Sequence, residues 1–184
     1  MRTFVAVWPD EATRRRLAEL DLGRAQNLRL VVPSAWHITL RFLGDVDEDL
    51  LAPLGDALVP AVASVPGPVE CRLGPGTDWF TGDRVLQLPA FGLEELAGAV
   101  RAATVPLVGE PEDDEPPFNG HLTLARARGR LGATAQAELA AIPFEAVFDV
   151  THVDLVASEP GPSGHRYTTL VRAPLGPRVT PGAG

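Results

Sequence analysis

Lysine is absent from this 184-residue sequence, and all 16 basic residues are arginine. Any cationic contact must therefore come from a guanidinium, whose planar fork suits phosphate and carboxylate oxygens. Cysteine is nearly absent. Cys71, the only one, excludes an intramolecular disulfide framework and a multi-cysteine metal site; in the alternating run Val69–Leu73 it reads as a small buried hydrophobe. No apolar run approaches the ~18–20 residues needed to span a bilayer, and Met1–Val7 lacks the apolar stretch and cleavage site of a signal peptide. The expectation is a soluble, cytoplasmic protein that engages no membrane. Positive charge is in deficit: 24 acids against 16 arginines give a formal charge of -8. That argues against an extended grip on long nucleic acid, whose phosphates are bound by positive surface.

What remains is an ordinary globular composition, 45 % hydrophobic and 22 % charged. A chain of this length buries enough surface to fold without staples. Phe4–Val7 reads as a strand, and Asp10 as the N-cap of a helix to Leu22 that Gly23 stops. A strand is expected over Trp36–Leu43, then a helix from Asp45 or Asp47 to Val62 despite Pro53 and Gly55. Val69–Leu73 is a further strand. In the second half, strands are expected over Val85–Leu88 (closed by Pro89), His121–Arg126, Phe144–Ala157 and Tyr167–Arg172. Helices are expected over Phe91–Ala103 and Ala133–Ala141. The triplet Arg14–Arg16 spreads around its helix and reads as a solvated face.

The halves resemble one another. Two His-x-Thr-x segments stand 84 residues apart, and Val69 maps by the same offset onto Val153. This reads as an internal β-α-β-α-β duplication within one domain, residues 1–175, with copies over 4–74 and 85–158. Residues 176–184, rich in Pro and Gly, read as a flexible tail.

The segments themselves are His37-Ile38-Thr39-Leu40 and His121-Leu122-Thr123-Leu124. Side chains alternate along a strand, so His37 and Thr39 share one face while Ile38 and Leu40 enter the core. His121 and Thr123 repeat this. If the copies pair about a twofold axis, two imidazoles and two hydroxyls surround one space. Histidine titrates near pH 6.5, so one ring can accept a proton from water while the other donates to a leaving oxygen. The threonines can hydrogen-bond the non-bridging oxygens of an anion. Neither segment offers Asp, Glu or Cys, and a catalytic zinc normally takes three protein ligands. Acid–base chemistry on an anionic ester fits better than metal-assisted hydrolysis.

His37-Ile38-Thr39-Leu40-Arg41-Phe42-Leu43-Gly44 and His121-Leu122-Thr123-Leu124-Ala125-Arg126 resemble the paired motifs of the 2H phosphoesterase superfamily. They resemble most closely those of the RNA 2′,3′-cyclic phosphodiesterases, also called 2′-5′ RNA ligases. The resemblance extends to Phe4–Pro9 and to Ser158, Gly164 and Tyr167. It implies a two-lobed, duplicated α+β fold with antiparallel sheets facing across a central cleft. It also implies metal-independent hydrolysis of a terminal 2′,3′-cyclic phosphate on RNA to a 2′-phosphate, without a cofactor, by a monomer. By motif position His121 would activate water and His37 would protonate the departing 3′-oxygen. Thr39, Thr123 and Arg126 would hold the phosphate, and the reverse 2′-5′ ligation would use the same site. Gly120, where the family often has Pro, implies a less rigid loop before the second motif.

By strand parity Arg41 falls on the cleft face and Phe42 in the core. Arg126, Arg128 and Arg130 fall on the face away from His121, so a bulge or turn near Arg126 is needed to bring it into the cleft. Phe118 and Tyr167 are the better candidates for stacking on a base, ahead of Trp36. His152 reads as structural, and His165 as a loop histidine near the cleft rim. Nine of the acids lie in two runs, Asp45–Asp49 and Glu110–Glu115, which contain no Arg; the remainder is nearly neutral. Two other readings stay open. One is a phosphodiesterase acting on a small nucleotide such as an ADP-ribose cyclic phosphate. The other is a non-catalytic RNA-binding domain.

Overall fold

The computed structural model describes residues 1–23, 27–80, 84–110, 118–161 and 164–178. The acidic run 112–115 and the end of the expected tail, 179–184, lie outside them. Strand β1 (Arg2–Val7) leads into helix α1 (Glu11–Ala18), whose first turn is capped by the Asp10 carboxylate accepting from the Thr13 N–H at 2.7 Å. The helix ends a turn before the expected Leu22. Asp21 instead makes a side-chain turn to the Gly23 N–H, and Gly23 takes φ +65°. Strands β2 (Leu28–Leu30) and β3 (Ile38–Asp45) follow, then α2 (Leu51–Ala63) and β4 (Val69–Leu73). Gly55 lets α2 lie close to Val171; a Cβ there would come within 2.9 Å of it.

The second half opens with β5 (Asp78–Phe80), for which the sequence pattern carries no signal, and β6 (Val85–Phe91). Strand β6 runs past Pro89, whose carbonyl accepts from the Gly74 N–H at 3.0 Å. Helix α3 (Glu94–Val108) therefore starts later and ends later than the pattern suggested. Then come β7 (His121–Ala127), α4 (Ala133–Leu139), β8 (Ala146–Val150), β9 (His152–Gly161) and β10 (Gly164–Pro174). The expected single strand over Phe144–Ala157 is broken at Thr151. Gly176, at the start of the expected tail, exchanges backbone hydrogen bonds with Val65 and Gly67.

All paired strands are antiparallel and follow the order β10-β9-β1-β3-β7-β6-β4-β8, with β2 added to β7 and β5 to β6. The chain is a mixed helix–sheet fold built on a curled antiparallel sheet. Its first four strands and last four meet at a single pair, Ile38 opposite Leu122. Both side chains are fully buried, in one core that also takes Leu54, Leu58, Leu96 and Val100 from α2 and α3. The helices thus cover one face of the junction and leave the other open. Among the described residues no helix is long and apolar enough to cross a membrane.

Candidate active site

Ile38 and Leu122 point into the core, so their neighbours in each strand point the other way. His37 and Thr39 flank the junction on one side and His121 and Thr123 on the other. Because the strands are antiparallel, the residue after Ile38 lies toward the residue before Leu122. The junction pair is itself separated by 84 residues, the spacing of the two motifs.

Both imidazoles are anchored alike. His37 Nδ1 lies 2.7 Å from the Ala35 carbonyl and His121 Nδ1 lies 3.0 Å from that of Asn119. A carbonyl only accepts, so Nδ1 carries the proton and donates it; in the neutral ring the lone pair is then on Nε2. Each ring is also stacked on a phenylalanine, His37 on Phe4 at 4.8 Å and 26°, His121 on Phe80 at 4.7 Å and 27°. Trp8 and Tyr167 close around His37, each 5.2 Å from it. This setting pushes the His37 pKa down to about 4. Burial is the main cause, opposed by the Ala35 hydrogen bond and reinforced by the positive charge of His121 and Arg126.

Two bulges decide what else reaches the cleft. In the β1–β3 ladder Val5 pairs with Arg41 and Ala6 with Thr39, leaving Leu40 extra. In the β6–β7 ladder Leu86 pairs with Ala125 and Gln87 with Thr123, leaving Leu124 extra. An extra residue reverses the alternation beyond it. Arg126 therefore lands on the face of Thr123, as its candidate role required. The same reversal corrects the strand-parity reading of β3. Arg41 is not on the cleft wall but buried, 4 % exposed, where it donates to Thr104 Oγ1 and, at 3.2 and 2.6 Å, to the Arg101 and Gly109 carbonyls. Phe42 is not core. It is 43 % exposed, lines the cleft, and carries the Arg2 guanidinium 4.8 Å above its ring. Phe42 and Arg126 are themselves 84 residues apart, the spacing of the two His-x-Thr-x segments.

The cleft encloses about 330 Å³ between His37, Thr39 and Arg126 on one hand and Arg2, Phe4, Phe42, Ser158, His165 and Tyr167 on the other. His121 and Thr123 stand outside this lining, on the β7 flank, yet near enough for charge on His121 to act on His37. No carboxylate lines the cleft, which marks it for an anion. Ser158 and His165, within 3.0 Å of one another, bring a third imidazole that motif reasoning placed only at the rim. Of the stacking candidates, Tyr167 is in the cleft, Trp36 is buried in the core, and Phe118 packs partly buried against that core. Gly120 packs its backbone against Ala90 at the entry to β7. Its carbonyl accepts from the Ala90 N–H at 2.8 Å, and a Cβ would come 2.5 Å from the Ala90 oxygen. His152 lies within 3.1 Å of the Thr151 hydroxyl and pairs with Pro174 on β10, outside the cleft lining. Among the described residues no group of three or more His, Cys, Asp or Glu is placed to hold a metal ion.

Comparison with known proteins adds three findings. Residues 8–162 match the family model described as the 2′-5′ RNA ligase superfamily. The comparison with curated proteins found no match. Among solved structures, the chain is similar to TT0787 of Thermus thermophilus, with 31 % identity, 96 % of this chain and 99 % of that one covered, and a TM-score of 0.82. It is similar to a protein described as a phosphoesterase at 25 % identity, 95 % and 98 % coverage and TM-score 0.73. It is also similar to E. coli LigT complexed with 3′-AMP at 25 % identity, 95 % and 97 % coverage and TM-score 0.72.

Proposed function

The chain belongs to the 2′-5′ RNA ligase superfamily, the 2H phosphoesterases, and on that premise we propose that it hydrolyses the terminal 2′,3′-cyclic phosphate of RNA or oligoribonucleotides to a 2′-phosphomonoester. The observation that carries this reading is the pair of Nδ1-anchored imidazoles at the Ile38–Leu122 junction, beside a cleft with arginine and threonine but no carboxylate.

The step balances without a metal. One imidazole takes a proton from water as the water oxygen bonds to phosphorus; the bond from phosphorus to the 3′-oxygen breaks, and the second imidazole protonates that oxygen. Thr39, Thr123 and Arg126 hold the non-bridging oxygens, whose negative charge grows in the transition state. Taking the donor as His37 and the acceptor as His121, the substrate has its own part to play. Burial and its positive neighbours hold His37 neutral near pH 7, with its pKa at about 4. An anionic phosphodiester offsets the positive neighbours, the lesser part of that depression, so binding raises the donor toward its charged form against the burial that opposes it. The reverse reaction, 2′-5′ ligation, exchanges the two roles. The similar LigT has been solved in complex with 3′-AMP, which supports a ribonucleotide ligand for this chain.

The test is an oligoribonucleotide ending in 2′,3′-cyclic phosphate, incubated with the protein in EDTA, with the product identified by mass and by phosphatase sensitivity. A 2′-phosphate is expected, with rates reduced about 10²–10⁴-fold in both His37→Ala and His121→Ala. Hydrolysis that needs added metal, or that survives both substitutions, sinks the two-histidine mechanism. Tight RNA retention without turnover would instead mark a binding domain.

A further inference from the structure

A hollow of about 790 Å³, larger than the cleft, lies just past the end of β7. Arg84, Arg128 and Arg130 line it with Gln136 and the turn through Gly129, and no carboxylate does. Among the described residues none of the three guanidiniums has an ion-pair or hydrogen-bond partner. Three like charges thus converge on one space in a chain whose formal charge is -8. An anion seated among them would meet three guanidinium donors and no competing carboxylate.

The frame under them is fixed by backbone. The Ala127 N–H donates to the Arg84 carbonyl at 2.8 Å, and the Arg128 N–H to that of Asn27 at 2.7 Å. Asn27 Nδ2 donates to the Arg130 carbonyl at 3.4 Å. All three arginine side chains are exposed and have no part in these bonds. The hollow adjoins the cleft's β7 wall through the chain. Arg84 precedes Val85, whose strand partner Arg126 lines the cleft, and Arg128 follows Arg126 by two residues, just past the end of β7.

We propose that this arginine hollow is a second anion subsite, holding the phosphodiester backbone on the 5′ side of a strand whose terminal cyclic phosphate occupies the histidine cleft. The proposal rests on the function given above and deepens it: the substrate is an oligonucleotide, not a lone nucleotide.

The experiment compares a nucleoside 2′,3′-cyclic phosphate with a free 5′-hydroxyl, which has no other phosphate, and a pentaribonucleotide with the same terminus. The wild-type protein should show at least a roughly tenfold lower KM for the pentamer. The double variant Arg84→Ala/Arg130→Ala should raise the pentamer KM about tenfold and leave kcat/KM for the mononucleotide within about twofold. A fluorescent pentamer ending in 3′-hydroxyl, titrated by anisotropy, should lose affinity in parallel. Its salt slope should flatten by about 0.7 for each phosphate that an arginine no longer neutralises. Equal effects on both cyclic substrates, or none on the pentamer, overturn the subsite. If the wild-type protein hydrolyses neither substrate, the catalytic reading fails, and the 3′-hydroxyl titration still decides the subsite.

Discussion

His37 stands within a box of rings, Phe4, Trp8 and Tyr167, that no single motif would have revealed. Its pKa of about 4 in the folded protein lies below its ordinary 6.5, so between those values the unfolded chain binds a proton that the folded chain does not. Stability should therefore fall as pH drops from about 6.5 to about 4, by up to about 3 kcal/mol from this group. Urea unfolding across that window should show the slope, and His37→Asn should remove its share. In the pH–rate profile the donor must carry its proton, so kcat/KM should already be falling on the alkaline side of about pH 4. The alkaline limb of kcat should lie at higher pH, because bound phosphate raises the donor; coincident alkaline limbs would contradict substrate-assisted charging of His37. Cys71 is a quieter case. It is fully buried, and burial pushes its thiol up to about 12. Iodoacetamide should leave it unmodified in native protein and label it fully in denaturant.

At the scale of elements the bulges in β3 and β7 matter most. Each turns two consecutive residues inward, Leu40 with Arg41 and Leu124 with Ala125, and hands the next position to the cleft. In β7 that position is Arg126, in β3 it is Phe42. The two strands thus deliver charge from one side and an aromatic surface from the other. The inward Arg41 fastens β3 to the end of α3 through Thr104 and two backbone carbonyls. Arg41→Met fills the space but strands those buried acceptors. It should cost about 2–4 kcal/mol, read as a fall in the urea midpoint at an unchanged m-value. A loss below about 1 kcal/mol, the scale of a single ordinary hydrogen bond, would show that β3 and α3 do not depend on this tie. Strand alternation was legible from the residues up to Thr39 and Thr123. Past them it failed, because a bulge is set by the register of the partner strand and leaves no mark in the local hydrophobic pattern.

Across the whole molecule, four strands on each side meet through one residue pair. The spacing of the two histidines is thus a property of the junction and not of either motif. Ile38→Ala and Leu122→Ala should each cost about 2–5 kcal/mol as core truncations. Because the two side chains share a partner, their double variant should be non-additive. At a temperature where all variants stay folded, both should also lose more activity than Leu58→Ala, an equally buried truncation in α2. Equal losses would mean that the junction merely stabilises and does not position. The charge distribution also acts at this scale. An acidic chain keeps arginine in the cleft and in the neighbouring hollow, which suits a strand end gripped at a few phosphates.

Local pattern and residue chemistry were enough for the two His-x-Thr-x strands, the family resemblance, most helices and strands, and the need for guanidinium at every cationic contact. None of these requires knowing which segments lie side by side. Tertiary pairing was needed to bring Arg126 into the cleft, to take Arg41 out of it and put Phe42 in its place, and to set Phe4, Phe80, Ser158 and His165 around the histidines. It was needed as well to join Arg84 to Arg128 and Arg130. Each of these depends on which strand lies beside which, and at what register. That information is held in long-range pairing, and it becomes visible only when the two halves of the chain meet at Ile38 and Leu122.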